Sequence, residues 1–326
     1  MPDNQSTRSI GRLENLQSGG AFEKAQEALR KPNPILDELG ISRERAKEAL
    51  RVQPGQLESM GTIRPIELEA IVVVTNRPPL LIKDDTVLGV DALPDVFPAT
   101  TPSKIAGVEP LIPSVGRIEF IDFVMPWGGT GWVIDRESNT SFIIATNRHV
   151  AKIIALRRRD GSGAFKFDRF TNIRYGASID FFEENGATSA QSREVRIEKF
   201  TYIADNQAAD VALARIEVTS GHQIAPLPLA EKPAKNDELL AVVGYPGNSP
   251  RDNDVGALER YFQRLYDVKR FSPGFARVSS GSTSLLHDCT TLGGNSGSPV
   301  ISLDQQSVVG LHFSGTPGTI NRAVQI

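Results

Sequence analysis

Short apolar runs, separated by glycine, proline, asparagine and aspartate, dominate the chain after about residue 104. Many of these runs are rich in β-branched residues, and the breaks between them are typical of turns, so the pattern predicts strands. The predicted strands cover residues 117–123, 131–134, 142–146, 210–216, 239–244, 300–302, 308–313 and 323–326. Many short strands joined by turns are typical of an all-β barrel or sandwich.

The first 90 residues follow a different, helical pattern. Phe22, Ala25 and Leu29 fall on one helix face, and helical segments continue to about residue 74. Three prolines interrupt residues 91–103, where few apolar positions recur, and this predicts a linker. We therefore expect a small, mainly helical N-terminal region over 1–90, a linker over 91–103 and an all-β domain over 104–326.

One segment inside the β domain has helical spacing. Val255, Leu258, Phe262 and Leu265 are separated by three, four and three residues. This spacing puts all four side chains on one face of a helix. It predicts a helix over 254–268 that is inserted among the strands.

Composition and charge exclude several classes of protein. Of 326 residues, 40% are hydrophobic, and the formal net charge is −3, so the overall charge favours neither a nucleic-acid nor a membrane partner. The single cysteine, Cys289, permits no intramolecular disulfide, and no apolar run is long enough to span a membrane. The N-terminus has no leader-like apolar segment, so we expect a cytoplasmic protein. Four scattered histidines make no zinc pattern, and we expect no metal and no cofactor.

Ser296 is the first candidate for catalysis. It lies in the sequence Gly-Gly-Asn-Ser-Gly-Ser-Pro-Val at residues 293–300. A nucleophilic serine needs a tight, exposed turn and nearby backbone N–H groups that can bind an oxyanion. Glycines on both sides allow that backbone shape. Taken alone, the motif also fits a glycine- and serine-rich hairpin loop.

His149 and Asp210 are candidates for a general base and for the carboxylate that orients it. His149 follows the predicted strand 142–146, a position suited to proton transfer. Asp210 opens the run Asp-Val-Ala-Leu-Ala, where a partly desolvated carboxylate can orient an imidazole. Each residue alone also fits a structural role. Their order along the chain (His, Asp, then Ser), each beside a predicted strand, favours a catalytic triad.

A second class of serine hydrolase fits less well. The α/β-hydrolases place the triad in the order Ser, acid, His, and they carry the serine in a Gly-x-Ser-x-Gly turn. Here the order differs, and Ser298 stands where the last glycine of that turn would lie. The sequence also lacks the alternating strand and helix patterns of that fold.

With these motifs the sequence resembles the trypsin-like serine proteases of the chymotrypsin fold, and among them the bacterial glutamyl endopeptidases. The resemblance covers about residues 114–326 and is concentrated in the blocks 129–133, 146–150, 210–213, 243–247, 293–300 and 310–315. It implies two six-stranded barrels with the active site between them. It also implies that His149, Asp210 and Ser296 form the triad, and that the backbone N–H groups of Gly294 and Ser296 form the oxyanion hole.

The resemblance further implies a substrate pocket. His312 matches the histidine that glutamyl endopeptidases use to bind an acidic side chain, and Thr291 matches the threonine that accompanies it. The stretch Cys-Thr-Thr-Leu at 289–292 holds no carboxylate that could pair with Arg or Lys. Imidazole and hydroxyl donors suit Glu, Asp or Gln, so we expect cleavage after an acidic or small polar residue. The alternative is that His312 only hydrogen-bonds within the barrel.

Two departures from the family's pattern concern control and completeness. Digestive proteases carry an aspartate before the nucleophile that pairs with a new N-terminal amine, whereas Asn295 has no charge for such a pair. We therefore expect regulation by the N-terminal region, by the predicted helix over 254–268 or by a partner protein. The family's last strand is followed by a helix, whereas this sequence ends at Ile326. Two interpretations stay open: a cleavage product, or a fragment of a longer protein with a downstream effector domain.

The sequence thus predicts a serine endopeptidase that acts on protein or peptide substrates. The alternative from another class is a protease-like binding or adaptor module within a larger effector protein. In that case the N-terminal helices would be the functional part. An intact triad favours the enzyme, because a binding module has no chemical need for all three groups.

Overall fold

The computed structural model describes residue 44 and residues 79–93, 96–188, 191–218, 223–247, 266–277, 284–315 and 321–326. Residues Pro78–Ala92 and Thr100–Ile326 belong to one compact unit. The predicted helical region before residue 75, apart from residue 44, and most of the predicted helix over 254–268 lie outside the described residues. No helix in the described ranges is both long and apolar enough to cross a membrane.

Strands dominate the part of the chain that the structure describes. In chain order they are β1 (Leu80–Lys83), β2 (Thr86–Val87), β3 (Val115–Ile121), β4 (Trp127–Arg136), β5 (Ser141–Thr146), β6 (Ala155–Arg157), β7 (Gly163–Phe165), β8 (Gly176–Asp180), β9 (Glu194–Ile203), β10 (Ala212–Glu217), β11 (Leu239–Gly244), β12 (Arg270–Arg277), β13 (Ser284–His287), β14 (Pro299–Ser302), β15 (Ser307–Ser314) and β16 (Asn321–Gln325). The described helices are α1 (Thr101–Val108) and α2 (Arg148–Ile154), with 3₁₀ segments at Val90–Ala92 and Glu109–Ser114.

Helix α1 begins inside the segment predicted as a linker over 91–103. Its first residue is Thr101, and Pro102 lies in the first turn. A proline in the first turn costs no helical hydrogen bond, because the N–H groups there have no partner within the helix. The last three residues of the predicted linker are therefore helical.

The first barrel is a closed sheet of six antiparallel strands in the order β10-β5-β4-β3-β8-β9. Its interior is filled by apolar side chains, among them Ile144, Phe181 and Phe200. Thr146, the last residue of β5, pairs with Ala212, the first residue of β10. Because the two strands are antiparallel, the residues that follow β5 meet the residues that precede β10. This register brings the segments of His149 and Asp210 together.

The second barrel contains β11, β14, β15, β16, β13 and β12 in spatial order, and the pairing of β11 with β12 closes it. The loop that contains Ser296 leads directly into β14, and His312 lies on the neighbouring strand β15. The hairpin of β1 and β2 extends this sheet beyond β12. The two six-stranded antiparallel barrels confirm the predicted double-barrel fold.

Strand β12 is a strand that the sequence pattern did not predict. Its sequence Arg-Phe-Ser-Pro-Gly-Phe-Ala-Arg contains the dipeptide Pro-Gly, which ordinarily marks a turn. In the structure Pro273 pairs with Ala241 and Gly274 with Leu240. Gly274 is required here by close approach, because a Cβ atom on it would lie 2.7 Å from the backbone nitrogen of Cys289. Tertiary packing therefore overrides the local turn signal.

A buried ion pair joins the two barrels. Lys269, which directly precedes β12, is completely buried, and its ammonium group lies 3.0 Å from Glu184 Oε1. It also donates hydrogen bonds to the carbonyl oxygens of Phe181 and Ile112 at 2.8 and 3.3 Å. The second carboxylate oxygen of Glu184 accepts from the backbone N–H of Asp85, in the β1–β2 turn, at 3.0 Å. The pair therefore also anchors the β1–β2 hairpin.

Burial opposes both charges of this pair. It lowers the pKa of Lys269 and raises the pKa of Glu184, and in each case the charge of the partner acts against the effect of burial. Such a pair contributes little net stability compared with apolar residues, but removing one member leaves the other buried without a counter-charge.

We expect Lys269→Met to lower the free energy of unfolding by about 3–5 kcal/mol, because Glu184 then remains buried and unpaired. The double variant Lys269→Met/Glu184→Leu should recover part of that loss. Lys104→Met is the matched control: it breaks the half-exposed pair with Asp304 and should cost less than about 1 kcal/mol. Urea unfolding measures the free energy of unfolding of all three variants. Equal losses for Lys269→Met and Lys104→Met would contradict this account of the buried pair.

Candidate active site

His149 lies at the second residue of α2, directly after β5. Asn147 precedes the helix in an extended conformation, with ψ of 148°, which turns the chain from strand to helix. The imidazole Nδ1 of His149 lies 2.5 Å from Asp210 Oδ2. The His149 side chain is 45% exposed, and among the described residues its other ring nitrogen, Nε2, has no hydrogen-bond partner.

Three consecutive residues hold Asp210 and its loop. The side-chain amide of Asn147 donates to the carbonyl oxygen of Asp210 at 2.8 Å, and the backbone N–H of His149 donates to Asp210 Oδ1 at 3.0 Å. Arg148 donates to the carbonyl oxygens of Asp205 and Ala208, and its Nε lies 3.6 Å from Asp210 Oδ1. The carboxylate therefore has a fixed position and orientation beside the imidazole.

The electrostatics of Asp210 favour its ionised form. Burial alone would raise the pKa of its carboxyl group, but the hydrogen bonds and charge of His149 and the charge of Arg148 outweigh burial and lower the pKa. An ionised carboxylate at this position can accept the Nδ1 proton of His149 and stabilise the imidazolium that forms when Nε2 takes up a proton.

Ser296 lies in a turn whose shape depends on two glycines. Gly294 and Gly297 have φ of 93° and 90°, a region that other residues rarely adopt. A Cβ atom on Gly297 would lie 2.1 Å from the carbonyl oxygen of Thr130. The Ser296 side chain is half-buried, whereas the hydroxyl of Ser298 in the same motif is buried without a hydrogen-bond partner among the described residues.

Two backbone N–H groups of this turn are available to a ligand. In the described part of the chain, the N–H groups of Gly294 and Ser296 donate to no protein acceptor. The carbonyl oxygen of Gly293 accepts from the N–H of Gly247 at 2.6 Å. Since the C=O and N–H of a trans peptide point in opposite directions, this bond turns the N–H of Gly294 away from Gly247. Free N–H groups of this kind can bind a developing oxyanion.

The Ser296 loop approaches the helix that carries His149 at Gly129. A Cβ atom on Gly129 would lie 2.8 Å from the side chain of Val150 in α2 and 2.9 Å from the carbonyl oxygen of Ser296. Among the described residues, however, no hydrogen bond joins the hydroxyl of Ser296 to the ring of His149. The structure thus brings His149 and Asp210 into contact and places Ser296 beside them, without a direct bond.

His312 and Thr291 are both buried in the second barrel. The Nδ1 atom of His312 lies 3.1 Å from Nε2 of His287, and the two rings pack edge to face at 5.2 Å. Burial, assisted by the charge of His149, lowers the pKa of His312 to about 3. Burial and the nearby His312 lower the pKa of His287 well below its usual value. Both imidazoles are therefore neutral at physiological pH.

Sequence reasoning did not single out His287, Arg148 or Thr130. A signal for His287 is present, because β13 alternates between half-buried and buried residues and His287 shares the buried face with Leu285. Arg148 lies next to a candidate residue, but its contacts depend on a loop 57 to 61 positions later. Thr130 bonds residues more than 100 positions away, so no local pattern indicates its contacts.

The double barrel and the geometry of the Ser296 loop define a class, the serine peptidases of the chymotrypsin-like kind. The family profile of the trypsin-like peptidase domain matches residues 129–311. Because this match covers more than half of the chain, the protein belongs to that family, and it is a trypsin-like serine peptidase.

Individual relatives are distant. A probable serine protease of Lysobacter enzymogenes is 26% identical over 351 aligned positions, which cover 94% of this chain and 86% of that protein. A glutamyl endopeptidase of Staphylococcus epidermidis is 33% identical over 90 residues, covering 28% of this chain and 26% of that protein. The crystal structure of the serine endoprotease from Yersinia pestis is 15% identical with a TM-score of 0.44, over 68% of this chain and 62% of that chain.

Proposed function

We propose that the protein is a serine endopeptidase in which Ser296 is the nucleophile, His149 the general base and Asp210 the carboxylate that orients the base. The observation that carries this proposal is the 2.5 Å contact between His149 Nδ1 and Asp210 Oδ2 at the point where the Ser296 loop approaches α2. The free N–H groups of Gly294 and Ser296 support an oxyanion hole beside the same serine.

The proposed reaction is acyl transfer in two halves. Ser296 Oγ attacks the scissile carbonyl carbon while His149 Nε2 takes the hydroxyl proton. The carbonyl oxygen becomes an oxyanion, which accepts hydrogen bonds from the N–H groups of Gly294 and Ser296. His149 then gives the proton to the leaving amine, and an acyl-enzyme ester remains. Water, activated by His149, attacks this ester, and Ser296 recovers its proton as the carboxylic acid product leaves.

We further propose that the substrate side chain on the acyl side of the scissile bond is acidic or small and polar. Thr291 precedes the nucleophile in the chain and His312 follows it, both side chains are buried, and the stretch 289–292 holds no carboxylate. The similarity to a glutamyl endopeptidase, which covers 28% of this chain, supports the same preference.

The His287–His312 contact indicates which ring nitrogen of His312 carries a proton and can donate a hydrogen bond to the substrate. Within the described residues, His287 Nδ1 is buried and has no hydrogen-bond partner. A buried N–H without an acceptor is costlier than an unpaired lone pair, so we place the proton of His287 on Nε2, where it is donated to His312 Nδ1. His312 then carries its own proton on Nε2 and can donate to a carboxylate or amide oxygen. Neutral rings supply no positive charge, which explains why a neutral polar side chain would also fit.

We also propose that the segment before residue 78, or a partner protein, regulates access to the site. Asn295 has no charge with which to form the salt bridge that activates digestive proteases. The hairpin of β1 and β2 is part of the second sheet, through pairs such as Leu80 with Phe271. An informative deletion must therefore end at residue 77 rather than at 103. The cytoplasmic location stays a prediction.

Ser296→Ala should lower peptide-bond cleavage by about 10⁶-fold, by analogy with the loss of a triad nucleophile. Asp210→Asn should lower it by about 10⁴-fold, because the wrong tautomer of His149 is then stabilised. Cleavage of a casein or peptide-library substrate measures both, with circular dichroism to confirm folding. A folded, fully active Ser296→Ala protein would contradict the proposed mechanism, and an inactive wild type would favour the binding module.

Substrate preference can be read from a peptide library. We expect the wild type to cleave after Glu, Asp, Gln or a small polar residue, and His312→Ala to lose that preference because the Nε2 donor is gone. His287→Phe, which removes the donor to His312 Nδ1, should weaken the preference as well. Dominant cleavage after Arg or Lys, or an unchanged profile in His312→Ala, would refute the pocket assignment.

Deletion of residues 1–77 tests regulation while leaving β1 in place. We expect kcat/KM or solubility to change, with little change in the thermal unfolding temperature of the barrels. The full-length chain, measured at the same concentration, is the reference. If activity and solubility both stay the same, the N-terminal region binds partners but does not control the site.

A further inference from the structure

Thr130, on strand β4 of the first barrel, contacts the second barrel through several polar atoms. It is completely buried. Its backbone N–H donates to the carbonyl oxygen of Ser296 at 2.8 Å, and its hydroxyl donates to the carbonyl oxygen of Gly294 at 2.9 Å. The same hydroxyl accepts from the N–H of Tyr245 at 3.2 Å. One residue thus holds the Ser296 loop on both sides of Asn295.

Thr130 is also linked to the strand that leads to His149. Its carbonyl oxygen accepts from the hydroxyl of Thr146 at 2.8 Å, and Thr146 is likewise completely buried. Thr146 is the last residue of β5, three residues before His149. Short, buried hydrogen bonds therefore connect the Ser296 loop, through Thr130, to the strand that positions the imidazole.

The Ser296 loop makes turn hydrogen bonds of its own, from the N–H of Asn295 to the carbonyl oxygen of Leu292 at 3.2 Å and from the N–H of Ser298 to the carbonyl oxygen of Asn295 at 3.0 Å. Neither of them holds the carbonyl oxygen of Gly294. Gly294 has no side chain, and its φ of 93° lies in a region where glycine moves freely. Two planar peptides flank its Cα atom. Gly247 holds the first through the carbonyl oxygen of Gly293. The second is held at its N–H, which Asn295 donates to the carbonyl oxygen of Leu292, and at its carbonyl oxygen, which accepts the shorter bond from the Thr130 hydroxyl. When both peptides are fixed, the N–H of Gly294 is held in a single orientation.

We propose that Thr130 is a positioning residue for the oxyanion hole, acting through its hydroxyl on the Gly294 carbonyl and never touching the substrate. The inference rests on the proposed function, because it assumes that the N–H groups of Gly294 and Ser296 receive the oxyanion. The Thr130 hydroxyl should stabilise the transition state, in which the oxyanion exists, and should not affect binding of the substrate in its ground state.

Thr130→Val removes the hydroxyl and keeps the shape of the side chain. It leaves the Gly294 carbonyl and the Tyr245 N–H without their partner. We expect kcat to fall by about 10- to 100-fold, since loss of one oxyanion-hole donor costs about 10²–10³-fold and a displaced donor costs part of that. KM should change by less than about twofold. Thr130→Ser, which keeps the hydroxyl, should restore most of the activity.

A peptide aldehyde inhibitor reports on the oxyanion hole directly, because its hemiacetal oxygen occupies the position of the oxyanion. Its inhibition constant should rise in Thr130→Val by about the same factor as kcat/KM falls. Thr201→Val is the matched control. It removes the bond from the Thr201 hydroxyl to the carbonyl oxygen of Leu213 in the first barrel, 3.3 Å long, and should leave kcat and inhibition unchanged.

Three results would overturn the inference: an unchanged kcat in folded Thr130→Val, a loss confined to KM, or a loss that Thr130→Ser does not reverse. If Thr130→Val does not fold, Thr130→Ala provides the same comparison with Thr130→Ser. Ser296→Ala distinguishes a failure of the proposed role of Thr130 from a failure of the proposed function. An inactive Ser296→Ala with a fully active Thr130→Val refutes only the role of Thr130, whereas an active Ser296→Ala refutes the proposed function itself.

Discussion

The position of the Ser296 loop depends on hydrogen bonds from the opposite barrel. Glycines give the loop the positive φ angles that expose Ser296 and free the N–H groups of Gly294 and Ser296, but they also make its backbone easy to deform. With a single cysteine and an uncharged Asn295, the chain offers neither a disulfide nor a charge on Asn295 as a restraint. Thr130 of the first barrel provides two bonds instead, to the carbonyl oxygens of Gly294 and Ser296, and Gly247 of the second barrel adds one to the carbonyl oxygen of Gly293.

Three pairs of ionisable groups in the two barrels differ in whether they carry charge. Lys269 and Glu184 form a buried pair where the barrels meet, and the pair also holds the turn of the β1–β2 hairpin. Beside His149, the carboxylate of Asp210 accepts a hydrogen bond from the His149 N–H, lies 3.6 Å from Arg148 Nε and stays ionised, while Asn147 holds the backbone carbonyl oxygen of Asp210. The His287–His312 pair, in contrast, is neutral. In the proposed function, the ionised Asp210 orients His149, and the neutral His287–His312 pair offers a hydrogen-bond donor to the substrate.

Much of this arrangement was accessible from the sequence. Short β-branched runs predicted the barrels, and the order of His149, Asp210 and Ser296 predicted residues that the structure brings to one region. Strand β12 escaped prediction because Pro273 and Gly274 form a turn signal that pairing with β11 overrides. Thr130 and His287 escaped because their roles come from contacts made across the fold. The first is set by the meeting of two barrels, and the second by the side-by-side packing of β13, β16 and β15.

In the proposed mechanism the fold activates one serine, Ser296, among the many in the chain. Reaction of the intact protein with an alkyl fluorophosphonate, followed by mass spectrometric mapping of the modified peptide, tests it directly. We predict a single adduct, on Ser296, that disappears when the protein is unfolded in urea before labelling. The neighbouring Ser298, which is buried, should stay unmodified. Absence of an adduct, or an adduct on a different serine, would contradict the account.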